Sequence, residues 1–288
     1  MTAPPPLPAI VLDPIVRLAL AEDLGRAGDL TTDATIAPGQ PMAVAIVARQ
    51  TGVLAGMDAA AHALGLVDLS IEMTAIEADG DALAPGDVIA ELEGPARSLL
   101  TAERTMLNFI GRLSGVATLT ARYVSEVAGT KAKIVCTRKT TPGHRALEKR
   151  AVRCGGGTSH RYGLDDAILI KDNHIAASGG SLTTTLERAH AYAGHLRMIE
   201  IEVDTLAQLD EILALDPALH PHACLLDNMS TADLAAAVAR IDGRFAAEAS
   251  GGVTLETVGD IARTGVDFIS VGALTHSAPN LDVGLDAA

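Results

Sequence analysis

Tryptophan is absent from the 288-residue chain, and there are only three phenylalanines, three tyrosines and three cysteines. So few aromatics leave no stacking platform of the kind that single-stranded nucleic acid needs. Cys136, Cys154 and Cys224 are odd in number, far apart and without a C-x-x-C pair. They offer neither a disulfide framework nor a cysteine zinc site, and they fit a reducing, cytoplasmic setting. No apolar run approaches the ~20 residues that cross a bilayer. The opening MTAPPPLPAI has no basic stretch and no long apolar region, which argues against a secretion signal; its residues 3–8 read as a loose proline-rich leader. H-E-x-x-H and G-x-S-x-G are missing, and no G-x-G-x-x-G follows the first strand, so zinc hydrolysis, serine acyl transfer and dinucleotide binding lack support. Positive charge is scarce too. With 22 Lys and Arg against 36 Asp and Glu, the formal net charge is −14, the wrong sign for a surface that coats nucleic acid.

What is present is aliphatic. Hydrophobic residues make up 48% of the chain, mostly Ala, Val, Leu and Ile, a composition suited to helices packed on sheet. Asp13 as N-cap, Pro14 at the first helical position and Gly25 beyond the end predict a first helix. Between about Gln40 and Pro95, short strand-like runs at 42–49, 69–76 and 87–93 alternate with turn signals such as Asp79-Gly80-Asp81, predicting an α+β unit with a mostly antiparallel sheet. A helix from Ala96 to about Gly111 follows, with Arg97, Arg104, Asn108 and Arg112 on its polar face; Ser114-Gly115 is expected to interrupt it before a second helix to about Val127. A strand–loop–helix rhythm then repeats, with strands at 133–136, 167–170, 198–203, 223–227, 244–249 and 267–272. Such a rhythm predicts parallel βα units, closed into a barrel or opened as a doubly wound sheet. The tail after Pro279 alternates apolar and polar and is expected to return to the first domain as an edge strand.

The scarce cations are gathered. Residues 137–174 hold Arg138, Lys139, Arg145, Lys149, Arg150, Arg153, Arg161 and Lys171 around a glycine run, as in a receptor for a small polyanion. The polar residues also share a position, the C-terminal end of a predicted strand. Arg138 and Lys139 follow one strand and Lys171 the next; Glu202 and Asp227 close two more; Ser250-Gly251-Gly252 and Gly272 follow the last two. Parallel βα sheets build their sites at that rim. Glycines there let backbone N–H groups approach a phosphate at the start of the next helix. Arg138, Arg161 and Lys171 suit carboxylates or phosphates, and His160 adds a donor. Glu202 and Asp227 can hold Mg²⁺, bond ribose hydroxyls or stabilise a cationic sugar centre, or else serve as ion-pair partners of Arg138 or Lys171. Arg145, Lys149, Arg150 and Arg153 read chiefly as the exposed face of a short helix, otherwise as a cationic field near a phosphate, and Arg104 and Arg112 as a solvated face.

The segments LAEDLGRAGDLTTDAT (20–35), AERTMLNFIGRLSGVAT (102–118), TRKTTPG, AVRCGGGTSHRYGL, IKDNH, EVDTLAQLD, LLDNM and SGGV, in this order, resemble the quinolinate phosphoribosyltransferase family over almost the full length. That resemblance implies an N-terminal α+β sandwich domain, 1–115 with 276–288 returning to it, and an incomplete (β/α) barrel domain, 116–275. It implies transfer of phosphoribosyl from phosphoribosyl pyrophosphate to quinolinate with decarboxylation, a step of NAD biosynthesis yielding nicotinate mononucleotide, carbon dioxide and pyrophosphate. Arg138, His160, Arg161 and Lys171 would meet the quinolinate carboxylates, with Arg104 supplied by a partner subunit of a homodimer. Lys139, Glu202, Asp227, Ser250, Gly251, Gly252, Gly272 and His276 would serve phosphoribosyl pyrophosphate, with Lys139, Glu202 and Asp227 as the catalytic set. Thr137, Ala249, Ser270 and Val271 complete the implied substrate-binding positions. Mg²⁺ is the implied cofactor, carried on pyrophosphate with Glu202 and Asp227 as candidate protein ligands. The chain departs from the family in having Ala249 where relatives often have Ser, and in a longer loop before Cys224. The alternatives are a related pyrophosphorylase linked to molybdenum transport, which the KDNH tetrapeptide disfavours, and a non-catalytic barrel that binds a phosphorylated metabolite.

Overall fold

The computed structural model of the chain describes residues 4–287, which form two compact units: residues up to Ala121 with Thr140–Gly156 and the segment from Ala273, and Arg122–Lys139 with Gly157–Gly272. The expected boundary at 115 and 116 therefore falls inside a helix, and 140–156 packs with the first unit.

In the first unit, α1 (Ala9–Leu24) and α2 (Leu30–Thr35) precede β1 (Pro41–Ala48), the short β2 (Gly52–Val53) and α3 (Met57–Val67). Then come β3 (Glu72–Ala75), β4 (Ala82–Leu83), β5 (Val88–Pro95), α4 (Ala96–Glu126) and α5 (Arg145–Cys154). An antiparallel sheet runs in the order C-terminal strand (Val283–Ala287), β1, β5, β3, so the tail does return as an edge strand, Ile46 opposite Leu285. The period of two explains the sheet's faces: β5 buries Ala90 and Leu92 and exposes Glu91 and Glu93. Ile46, Leu54, Leu99, Met106 and Ile110 complete a core in which each large side chain contributes about 1.5–3 kcal/mol.

Five expectations change here. The first helix begins at Ala9, and Asp13 lies inside it, bound by Arg17 (2.7 Å) and His62 (3.2 Å) rather than capping amides; Gly25 does end it, at φ 54°. Of the expected leader, residue 3 lies outside the described residues; Pro4 is buried, and the Pro4 and Pro5 carbonyls accept from the Arg150 guanidinium. α4 runs unbroken for 31 residues. Gly115 stands in it because a Cβ there would come 2.0 Å from the Pro279 carbonyl oxygen, while the Ser114 hydroxyl binds the Ala55 backbone on both sides. Finally, Lys149 and Arg150 are not an exposed face: Lys149 is buried, and Arg150 is paired with Asp58 and Asp79. Arg112 likewise leaves the solvated face, reaching the fully buried Glu148 at 2.7 Å and the Ala278 carbonyl at 2.9 Å.

The second unit alternates strands and helices: β6 (Lys133–Val135), β7 (Ile168–Ile170), α6 (Asp172–Ala177), α7 (Leu182–Tyr192), β8 (Ile199–Val203), α8 (Leu206–Leu213), β9 (Ala223–Asp227), α9 (Thr231–Ile241), β10 (Ala246–Ser250), α10 (Leu255–Arg263) and β11 (Phe268–Ser270). Side-chain hydroxyls start several helices, Ser181, Thr205 and Ser230 each accepting from an amide three residues on. The all-parallel order is β6-β11-β10-β9-β8-β7. From β7 to β11 every strand lies beside its predecessor, as in barrel winding, without the reversal of a doubly wound sheet. No ladder joins β6 to β7 among the described residues, so the ring stays open; Thr158 bridges to Val135 instead. Both sheet faces are covered, and all five residues of β8 are buried. No described helix is long and apolar enough to cross a membrane.

Candidate active site

Alternation along these strands selects the site. Residues of one phase, Leu169 and Lys171, Glu200 and Glu202, Leu225 and Asp227, Glu248 and Ser250, and Ser270, share a face of the sheet. Register aligns them: Glu202 stands beside Leu225, Leu225 beside Glu248, and Asp227 beside Ser250. Together with Thr137, Arg138, Lys139, His160 and Arg161 they line a cavity of about 390 Å³ within the second unit; only Glu200 of that phase set is not part of its wall.

Charge inside the cavity is arranged with care for acceptors. Lys171 Nζ is ion-paired with Glu202, itself buried. Arg161 donates from Nη1 to the Ala167 carbonyl at 3.1 Å. The Nε atoms of Arg138 and Arg161 are buried without any protein acceptor. A buried guanidinium donor left unpaired is costly, so these two mark where an incoming anion's oxygens belong. Burial, and then the like charge of Arg138, holds the Arg161 guanidinium below its usual range. Asp227 accepts from Asn228 Nδ2 at 2.5 Å, and Asn228 itself adopts φ 53°, one of two non-glycine residues at positive φ among those described. Gly251 sits against that asparagine: a Cβ there would lie 2.1 Å from Asn228 Oδ1, and φ is 93°. Gly252 follows at φ 59°, ahead of α10. The backbone after β10 therefore needs glycine for its turn, and the turn opens toward a helix start, where anions are favoured.

Two buried acids escaped the sequence reading. His160 Nε2 lies 2.9 Å from Glu200 Oε2 and 3.7 Å from Glu248 Oε1, with both carboxylates at least nine-tenths buried. Burial first, then the charge of Glu200, pushes the Glu248 carboxyl up to about 7. Their signal was the period-two spacing from Glu202 and Ser250, which places each of them on the face that carries the site.

Of the expected residues, Thr137, Arg138, Lys139, His160, Arg161, Lys171, Glu202, Asp227, Ser250 and Ser270 meet in the cavity. Ala249 and Val271 do not line it: both are buried and out of phase, Ala249 on the opposite face of β10. Gly251, Gly252 and Gly272 stand at strand ends beyond the lining. Arg104 and His276 belong to the first unit, and both are exposed. Arg145 and Arg153, on α5, also lie in that unit.

An open α/β ring that gathers cations and carboxylates at its strand ends, ahead of a glycine turn, has the layout of an enzyme acting on anionic, phosphorylated substrates. The family models "Quinolinate phosphoribosyl transferase, N-terminal domain" and "C-terminal domain" match residues 29–114 and 116–286. A nicotinate-nucleotide pyrophosphorylase (carboxylating) of Mycobacterium leprae is 48% identical over 94% of this chain and 95% of its own. A probable enzyme of the same name from Bacillus subtilis is 43% identical over 92% of this chain and 89% of its own. The solved nicotinate-nucleotide pyrophosphorylase of Francisella tularensis superposes with a TM-score of 0.91 at 37% identity, covering all of both chains. The chain belongs to the quinolinate phosphoribosyltransferase family.

Proposed function

We propose that this cavity binds quinolinate beside phosphoribosyl pyrophosphate and joins them, as a nicotinate-nucleotide pyrophosphorylase (carboxylating). The carrying observation is the pair of buried, acceptor-less Nε atoms of Arg138 and Arg161 beside Lys171, a cation set matched to two adjacent carboxylates, with His160 as a further hydrogen-bonding group. The ring nitrogen attacks C1 of the ribose as the C1–O bond to pyrophosphate breaks. Glu202 and Asp227, side chains of one wall, lower the energy of the cationic sugar, and Lys139 neutralises the leaving group. The pyridinium mononucleotide then loses the carboxylate next to nitrogen as carbon dioxide; the positive ring holds the electron pair until a proton replaces it. Products are nicotinate mononucleotide, carbon dioxide and pyrophosphate.

The donor set fits Mg²⁺, which takes one or two protein carboxylates and leaves its other positions to phosphates and water. Glu202 is already engaged by Lys171, so Asp227 is the better placed of the two. Bound there with pyrophosphate, the ion supplies neutralisation of the leaving group's charge. In this reading a homodimer is the working unit, Arg104 of one subunit entering the other's site. The side chain is 65% exposed within its own chain, paired only loosely with Glu103 at 3.9 Å, which leaves it available.

The test is pyrophosphate release. It is expected to require quinolinate, phosphoribosyl pyrophosphate and Mg²⁺ together, with one carbon dioxide per pyrophosphate. Release that ignores quinolinate, or none with all three present, overturns the reading.

A further inference from the structure

The floor of the cavity carries two acids, Glu200 and Glu248, that the reaction above does not use. His160, from the loop after α5, sits between Glu200 of β8 and Glu248 of β10. From the intervening β9 the uncharged Leu225 shares their face, while Cys224 points to the opposite one, its thiol pushed up by burial and then by Glu200, so it adds no charge. From β11 comes the Ser270 hydroxyl, beside Glu248. Arg161 is near enough to Glu200, and to Arg138, to feel both charges. Glu200 Oε1 and Glu248 Oε1 are buried with no hydrogen-bond partner. Two ionised carboxylates set so close, each with an oxygen lacking a donor, are far from a comfortable arrangement; a proton on one of them supplies the missing donor.

The charges of the whole pocket lead the same way. Its cations are Arg138, Lys139, Arg161 and Lys171; its acids are Glu202, Asp227 and Glu248, with Glu200 beneath. With every acid ionised and His160 neutral, these cancel. A dianion entering such a pocket finds orientation but no net attraction, and it brings fresh negative charge close to the two floor carboxylates. That charge favours protonation of whatever can accept a proton beneath it.

We propose that binding of the pyridine diacid is coupled to uptake of a proton from solvent by the His160–Glu248 pair, with Glu200 as the positioning residue that holds the imidazole in place. The proton makes the floor one unit more positive when the dianion arrives. Glu248, already pushed up to about 7 in the free protein, is the group that burial has poised for this. The sign follows. A bound anion raises the proton affinity of the floor further, so the complex holds more protons than the free protein above neutrality. Affinity therefore falls as pH rises from about 7. Well below that pH the proton is already present and the coupling vanishes. This inference rests on the reading of the cavity as a quinolinate site.

Calorimetric titration of the protein with quinolinate alone, at pH 7.5 in buffers of low and high ionisation enthalpy such as MOPS and Tris, measures the net proton count. Uptake on the order of half to one proton per site is expected, with Kd rising by up to roughly tenfold per pH unit between pH 7.5 and 8.5. In Glu248→Gln the buffer dependence is expected to fall toward zero; should that variant not fold, Glu200→Gln, which removes the neighbouring charge that raises Glu248, is expected to reduce it. Binding without any buffer dependence in the unaltered protein overturns the coupling and leaves the quinolinate site standing. Equal uptake in the unaltered protein and a folded variant also overturns it, since the proton then goes to the ligand ring or elsewhere. No binding at all overturns both.

Discussion

Arg138 shows how much of the site's work is done by single groups in a water-poor setting. Its Nε is buried and meets no acceptor from the protein, a cost that an anion's oxygen would relieve. Arg138→Ala is expected to lower kcat/KM by about 2–4 kcal/mol, the scale of a buried charge-assisted contact. Steady-state kinetics with quinolinate showing less than about a threefold loss would contradict that role. Arg138, Lys139 and Lys171 were legible in the sequence because each follows a predicted strand, and Arg161 because it belongs to the cation cluster around the glycine run. Ala249, an expected substrate-binding position, turns its side chain away from the cavity because a one-residue change of phase moves a side chain to the other face. Glu248, its neighbour, was the residue to single out.

At the scale of elements, α4 carries the clearest lesson. A serine–glycine pair inside a helical pattern reads as a break, since glycine costs ~1 kcal/mol in a helix interior. Here the helix continues because the pair is needed for packing within the first unit: Gly115 admits the Pro279 carbonyl, and Ser114 satisfies a buried backbone pair at Ala55. Gly155 has the same character, with the Ala117 carbonyl 2.2 Å from where its Cβ would lie. Gly115→Ala is expected to cost about 3 kcal/mol or more, because backbone must move to relieve the contact. Thermal unfolding that differs by less than a degree from the unaltered chain would show that the close approach is not there. The βα elements, by contrast, were predicted to within a residue or two at most ends. Their helices are amphipathic, and their strands are bounded by polar caps and glycine turns.

For the molecule as a whole, the charge distribution separates function from bulk. A chain of net charge −14 places Arg138, Lys139, Arg161 and Lys171 around one cavity, while Lys149, Arg150 and Arg112 are drawn into the interior of the first unit as partners or packing. Exposed Arg104 has no such employment in its own chain. If it serves a neighbouring subunit, a mixture of Arg104→Ala and Lys171→Ala proteins, each inactive alone, regains activity through mixed dimers with one intact site. Up to roughly a quarter of the unaltered activity is expected after subunit exchange at equal amounts, as each mixed dimer holds one intact site and about half the dimers are mixed. No recovery, with exchange demonstrated, would exclude donation in trans.

By itself the sequence determined the order of elements, the winding of βα units, the loop cations, the family and its chemistry, because these live in contiguous motifs and local periodicity. Only the tertiary structure decided which acids underlie the pocket and which cations are buried. Strands covered on both faces show little polar–apolar contrast, so the period-two spacing of Glu200 and Glu248 from Glu202 and Ser250 gains meaning only once the paired strands put those two at the site, and a lysine on a short helix looks solvent-facing until the segment that buries it is known. The open ring, too, depends on which strand edges meet, a fact of long-range pairing that no local pattern holds.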